Sequence, residues 1–139
     1  MIRTFAPRLV VGALTLALVV ACNQASDQPS AEQALCDSLA AFGDSITAIG
    51  DLSPDTASID DLHAARDASQ EAWDQVKADA ANVSTADDAA LDAAWNGLAD
   101  AITGFPTDVT IADALDQIQS AVDGVESAYG EMRDGLSCP

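Results

Sequence analysis

Basic residues are few in this chain of 139: Lys and Arg together number 5 against 23 acidic residues, for a formal net charge of −18 at pH 7. That shortage argues against nucleic acid as a partner, because phosphates are held by cations. Histidine occurs once, at His63. A Ser-His-Asp triad would have to use it, yet no serine stands in a G-x-S-x-G setting. No glycine-rich loop is present to cradle a phosphate. Aromatic residues make up 4% of the chain, so any core is built mainly from aliphatics and alanine. Sustained alternation with a period of two is missing, which removes the strand reading. Apolar runs also fall short of the ~20 residues that a membrane-spanning helix needs.

What is present begins with a leader. Arg3 and Arg8 give a short positive region, Leu9 to Val20 is apolar or small apart from Thr15, and no acidic residue occurs before Asp27. This is the shape of a cleavable signal peptide. At its end, Val19-Val20-Ala21-Cys22 resembles the lipobox of bacterial lipoprotein precursors: an aliphatic, a small or aliphatic, a small residue, then cysteine. The resemblance covers only the leader and its junction. It implies cleavage before Cys22, a diacylglyceryl thioether on Cys22, and attachment to the extracytoplasmic face of a cell membrane. The alternatives are an ordinary signal peptide with an incidental Cys22, or a buried core segment. Two acyl chains suit stable anchoring, since one chain gives only marginal binding. The division expected is therefore a leader over 1–21, a small polar tether over 22–30 and a helical domain over 31–139.

Loss of the leader removes two of the five bases. The remaining chain sets 23 acids, 19 of them Asp, against Arg66, Lys77 and Arg133, a net charge of −20. Such a domain should stand off an anionic membrane surface and remain a monomer. Cys36 and Cys138, near the two ends of the domain, read as a disulfide outside the cytoplasm; the alternative is a pair of free buried thiols.

Four helical segments follow from the apolar spacing. The first, about 31–49, carries Leu35, Leu39, Phe42, Ile46 and Ile49 on one face, with Ser30 and Gln33 as a capping box and Gly50 and Pro54 at its end. The second, about 58–82, has Ile59, Leu62, Ser69, Trp73, Val76 and Ala80, then Val83, inward. The third, about 86–103 after Ser84 and Thr85, uses Leu91, Ala94 or Trp95, Leu98 and Ile102. The fourth starts at Thr110 and runs its apolar stripe from Ile111 and Leu115 through Ile118, Val122 and Val125 to Tyr129, Met132 and Leu136. The expected fold is all-α, an antiparallel four-helix bundle stapled by one disulfide. An even helix number brings the start of the first helix beside the end of the last. Cys36 and Cys138 need that proximity, within about 7 Å between Cα atoms. Gly43, Gly97, Gly124 and Gly130 inside helices each weaken them by up to ~1 kcal/mol relative to Ala.

Chemistry-bearing constellations are weak. Asp60, His63 and Asp67 share one helix face at i, i+3 and i+7, and Asp and His are reasonable ligands for a metal. No second His and no free Cys joins them, so a solvated polar face is the preferred reading. Asp51, Ser53 and Asp55 mimic the start of a calcium loop, but Thr56 and Leu62 stand where glycine and the bidentate Glu belong. Paired acids such as Asp60/Asp61 and Asp87/Asp88 arise at this density without purpose. Trp73, Trp95, Phe42, Phe105 and Tyr129 at helical spacing fit a core better than a ligand box. No catalytic, metal or cofactor residue is assigned.

In its lipobox, its Ala- and Asp-rich bundle and its end-to-end cysteine pair, the chain resembles the small helical lipoproteins of high-GC bacteria, a resemblance that carries no functional residues with it. The expected role is a non-enzymatic, lipid-anchored envelope protein with an acidic interaction or spacer domain. The rival readings are a module that binds cations or basic ligands through its acidic surface, and an enzyme with an unrecognised carboxylate site.

Overall fold

The computed structural model describes residues 30–139; the leader, the lipobox with Cys22 and most of the tether lie outside the described residues. Four helices follow in order: α1 (Ala31–Gly50), α2 (Ile59–Ala80), α3 (Ala89–Thr103) and α4 (Ile111–Leu136). No strand occurs among the described residues. Side-chain caps set three of the four starts. Ser30 Oγ accepts the Gln33 N–H at 3.1 Å, and Thr110 Oγ1 accepts the Asp113 N–H at 3.2 Å. The reciprocal capping box belongs to Ser58 and Asp61: Ser58 Oγ accepts the Asp61 N–H, while the Asp61 carboxylate accepts from both the backbone N–H and the hydroxyl of Ser58. These bonds, the backbone one first, hold the Asp61 carboxyl below the usual carboxylate range.

Two boundaries differ from the sequence expectation. The second helix stops at Ala80, where the Asn82 and Val83 N–H groups turn back onto Asp79 and Ala80 in tight three-residue turns. The third starts at Ala89 rather than 86: the Ala86 N–H bonds the Val83 carbonyl in another turn, and the Asp87 carboxylate accepts the Ala89 N–H at 3.2 Å. Ser84 and Thr85 are loop residues, not caps.

The helices form a bundle in which α1 packs against α2 and α4, and α3 packs against α2 and α4. The expected faces of α1, α2 and α3 are buried at Leu35, Leu39, Phe42, Leu62, Leu91 and Leu98 among others, while Ala80, Val83 and Ala94 are only half-buried and Val83 lies past the end of α2. At the centre, the Phe42 ring lies 5.3 Å from Trp73 and 5.6 Å from Trp95, the latter pair edge-to-face. Each indole N–H finds an acceptor on the neighbouring helix. Trp73 Nε1 donates to Asp92 Oδ1 at 3.0 Å, and Trp95 Nε1 donates to Gln70 Oε1 at 3.0 Å. Each acceptor stands three residues before the tryptophan of its own helix, so the two bonds form a reciprocal clasp.

Cys36 and Cys138 are joined, with Cα atoms 5.6 Å apart. Ser137 makes the turn that brings Cys138 back: it caps α4 in the left-handed region at φ 55°, and the Cys138 N–H bonds the Arg133 carbonyl. Among the described residues, the buried core runs from Leu35 to Leu136, and the disulfide closes the same bundle.

Candidate functional site

The seam between α1 and α4 is not closed along its length. An open trough of about 470 Å³ lies between the last turn of α1, the loop after it and the first half of α4. That volume falls in the range of small-ligand sites, ~300–1,000 Å³. Its floor is apolar: Ile49, Ile118 and Val122 are buried, and Leu52 and Leu115 are half-buried. Its rim is acidic, with Asp51 at the end of α1 and Asp116, Asp123 and Glu126 on α4, all exposed. A second trough of about 270 Å³ continues it, sharing Thr47 and Glu126 and ending at Gly43, Asp44 and Tyr129.

Small residues on α1 leave this seam open. A Cβ at Gly43 would fall 2.7 Å from both Cζ and Oη of Tyr129, so glycine is what lets the phenol lie across α1. One helical turn on, the Thr47 hydroxyl is turned back to the Gly43 carbonyl at 3.0 Å. At Gly50 the nearest atom to an added Cβ is Val122 Cγ1, at 3.9 Å. The expected inner stripe of α4 is corrected here in part. Ile111, Leu115 and Tyr129 are only half-buried, and Ala114 takes the fully buried position. Leu115 and Tyr129 instead line the troughs. An aliphatic beside a buried alanine was the available sign that the stripe is wider than the core.

Among the described residues, no basic side chain lines either trough. Of the three cations of the described residues, two are engaged on α2 and the third lies beside the Tyr129 end of the second trough. Arg66 pairs with Asp67 at 2.9 Å and Lys77 with Asp74 at 3.7 Å, both on α2. Arg133 sits 5.6 Å from the Tyr129 ring centroid and donates to the Pro139 carbonyl.

The residues weighed for chemistry do not converge. His63 is half-buried on α2 between exposed Asp60 and Asp67. Among the described residues, no three His, Cys, Asp or Glu side chains come together as a metal site. In the calcium-like stretch, the Ser53 carbonyl accepts the N–H groups of Thr56 and Ala57, and the Asp51 N–H closes α1 onto Thr47. These residues make a helix stop and a turn. Cys36 and Cys138 are brought together; Cys22 lies outside the described residues. Among the described residues, no helix is long and apolar enough to cross a membrane. No family model, no curated protein and no solved structure matches the chain.

Proposed function

We propose that the chain is a lipid-anchored protein of the cell envelope, held at Cys22 on the extracytoplasmic face, whose acidic bundle binds a partner away from the bilayer. The observation that carries this reading is the Cys36–Cys138 bond. Such bonds form and persist outside the reducing cytoplasm. Pairing these two also leaves Cys22, the lipobox cysteine, as the third and remaining one. The tether over 22–30 leads into α1 at the pole of the disulfide, so the C-terminal residues sit at the anchored pole too.

In this reading the helices alternate in direction. Two sets of contacts support that arrangement. Trp73 bonds Asp92 while Gln70 bonds Trp95, so residue numbers rise on α2 as they fall on α3. Along α1 and α4, Cys36 meets Cys138, Gly43 meets Tyr129 and Gly50 meets Val122, again in opposed order. The trough at Gly50 and Leu52 is then one helix length, ~30 Å for 20 residues, from the anchored end. The role is binding rather than catalysis, and the net charge of −20 keeps the domain a monomer.

Replacing Cys22 by Ala tests the anchor. The wild-type protein should remain with membranes after a high-salt wash, while the variant is released or accumulates as uncleaved precursor. Equal retention of a processed variant would contradict the reading.

A further inference from the structure

The α1–α4 seam has the form of a receptor for one more helix. From α1 it is lined by Gly43, Thr47 and Gly50, and from α4 by Ala112, Leu115, Gln119, Val122, Glu126 and Tyr129. Both sets recur every three or four residues, so each helix gives the seam one continuous stripe. On α4 that stripe runs from Ala112 to Tyr129, ~26 Å at 1.5 Å per residue. The site is a long open trough with an apolar floor, so it suits a linear segment lying along it better than a compact molecule. Five carboxylates flank it, at Asp44, Asp51, Asp116, Asp123 and Glu126, and no basic side chain of the described residues lines it.

We propose that this seam binds an amphipathic basic helix of a partner protein. Its apolar stripe would rest on Leu52, Leu115 and Val122, and its Lys or Arg side chains would face the carboxylates on either side. This rests on the reading of the domain as a partner-binding module, and it names the chemistry of that partner. Charge complementarity selects the occupant: an acidic or neutral helix would bring no counterion to five carboxylates that have no ion-pair partner among the described residues. A purely cationic segment would leave the apolar floor in water.

The test uses residues 22–139 with Cys22→Ser and the disulfide oxidised, so that no lipid competes for the probes. The probe is a designed helix of about 17 residues, long enough for the ~26 Å stripe, with leucines on one face flanked by lysines. A second peptide keeps the lysines but replaces the leucines by serine. A third keeps the leucines but carries glutamate for lysine. The first peptide should shift the amide resonances of Gly50, Ala112, Gln119 and Val122. The second should bind at least about tenfold more weakly, equivalent to ~1.4 kcal/mol, and the third should not bind. Asp116→Asn, Asp123→Asn and Glu126→Gln together should weaken the first peptide by about tenfold or more. Asp60→Asn, Asp67→Asn and Glu71→Gln on α2, an equal change of charge, should leave it nearly unchanged. Equal binding of the first two peptides, or equal weakening by the two triple variants, would overturn the proposal in favour of general attraction to an acidic surface. The anchor is tested separately by membrane fractionation, so either conclusion can fail without the other.

Discussion

Gly43 is a residue whose missing methyl decides how two helices meet. Alanine is better in a helix interior by up to ~1 kcal/mol, but its Cβ would strike the tip of Tyr129 at 2.7 Å. The ring is half-buried and its tip can swing into the open seam, so Gly43→Ala should move Tyr129 and stabilise by less than the ~1 kcal/mol of an unobstructed helix position. With Tyr129→Ala already in place, the clash is gone and the same change should raise stability by up to ~1 kcal/mol. Urea denaturation of the four proteins measures this difference; an equal gain in both backgrounds would contradict the packing described. Asp61 makes a second prediction. Its folded pKa is depressed by the Ser58 backbone N–H and then by the Ser58 hydroxyl. Its contribution to stability is therefore fully present above the unfolded pKa of ~3.9. That contribution is lost as pH falls through the lower folded value. Ser58→Ala removes the hydroxyl bond, so Asp61 should titrate closer to an ordinary carboxylate in a carbon-detected NMR titration; an unmoved midpoint would contradict the assignment.

Between elements, α2 and α3 share the smallest of the neighbouring interfaces, and the reciprocal tryptophan clasp fixes their register. Asp92→Ala leaves the Trp73 indole N–H without its partner. An unpaired, partly buried donor is destabilising by ~1–3 kcal/mol, so the variant should melt earlier and the Trp73 indole proton should exchange faster. Asp92→Asn keeps an acceptor oxygen and should restore most of the stability; equal loss in both variants would assign the effect to something other than the bond. The tryptophans of this clasp stand in "AWDQV" and "AWNGL", stretches too short to read as a repeat. Their partners, Gln70 and Asp92, could not be read from sequence because they belong to pairing across helices. The apolar spacing did reveal α1, the inner face of α2 and most of α3, because leucine and isoleucine at three- and four-residue steps have one place to go. It misplaced the start of α3, since Ser84 and Thr85 look like caps while the chain spends another turn in the loop. It also overdrew the core stripe of α4, where Leu115 and Tyr129 have the chemistry of core residues but face the open seam. The trough itself was not legible, because it depends on what α1 lacks at Gly43 and Gly50 opposite α4.

Across the whole molecule, one covalent bond and a one-signed surface oppose each other. The Cys36–Cys138 bond spans 102 residues of sequence, for which loop-closure entropy gives ~4–5 kcal/mol in the chain-entropy model. That is comparable to the stability of many small domains, ~5–15 kcal/mol. Reduction should therefore lower the urea midpoint strongly, and added salt, which screens the excess of carboxylates, should recover part of the loss. A midpoint unchanged by reduction would mean that packing alone holds the bundle. The bond also sets the orientation proposed for the molecule, with both chain ends at the membrane pole and the acidic seam opening at the other. The most direct test places a fluorescent amino acid at Glu32 or at Ser53, both exposed and at opposite ends of α1, in lipidated protein on liposomes carrying nitroxide headgroups. Those positions are separated by ~30 Å along the helix. Strong quenching at Glu32 and little at Ser53 is the predicted result; equal quenching, or stronger quenching at Ser53, would contradict an outward-facing seam.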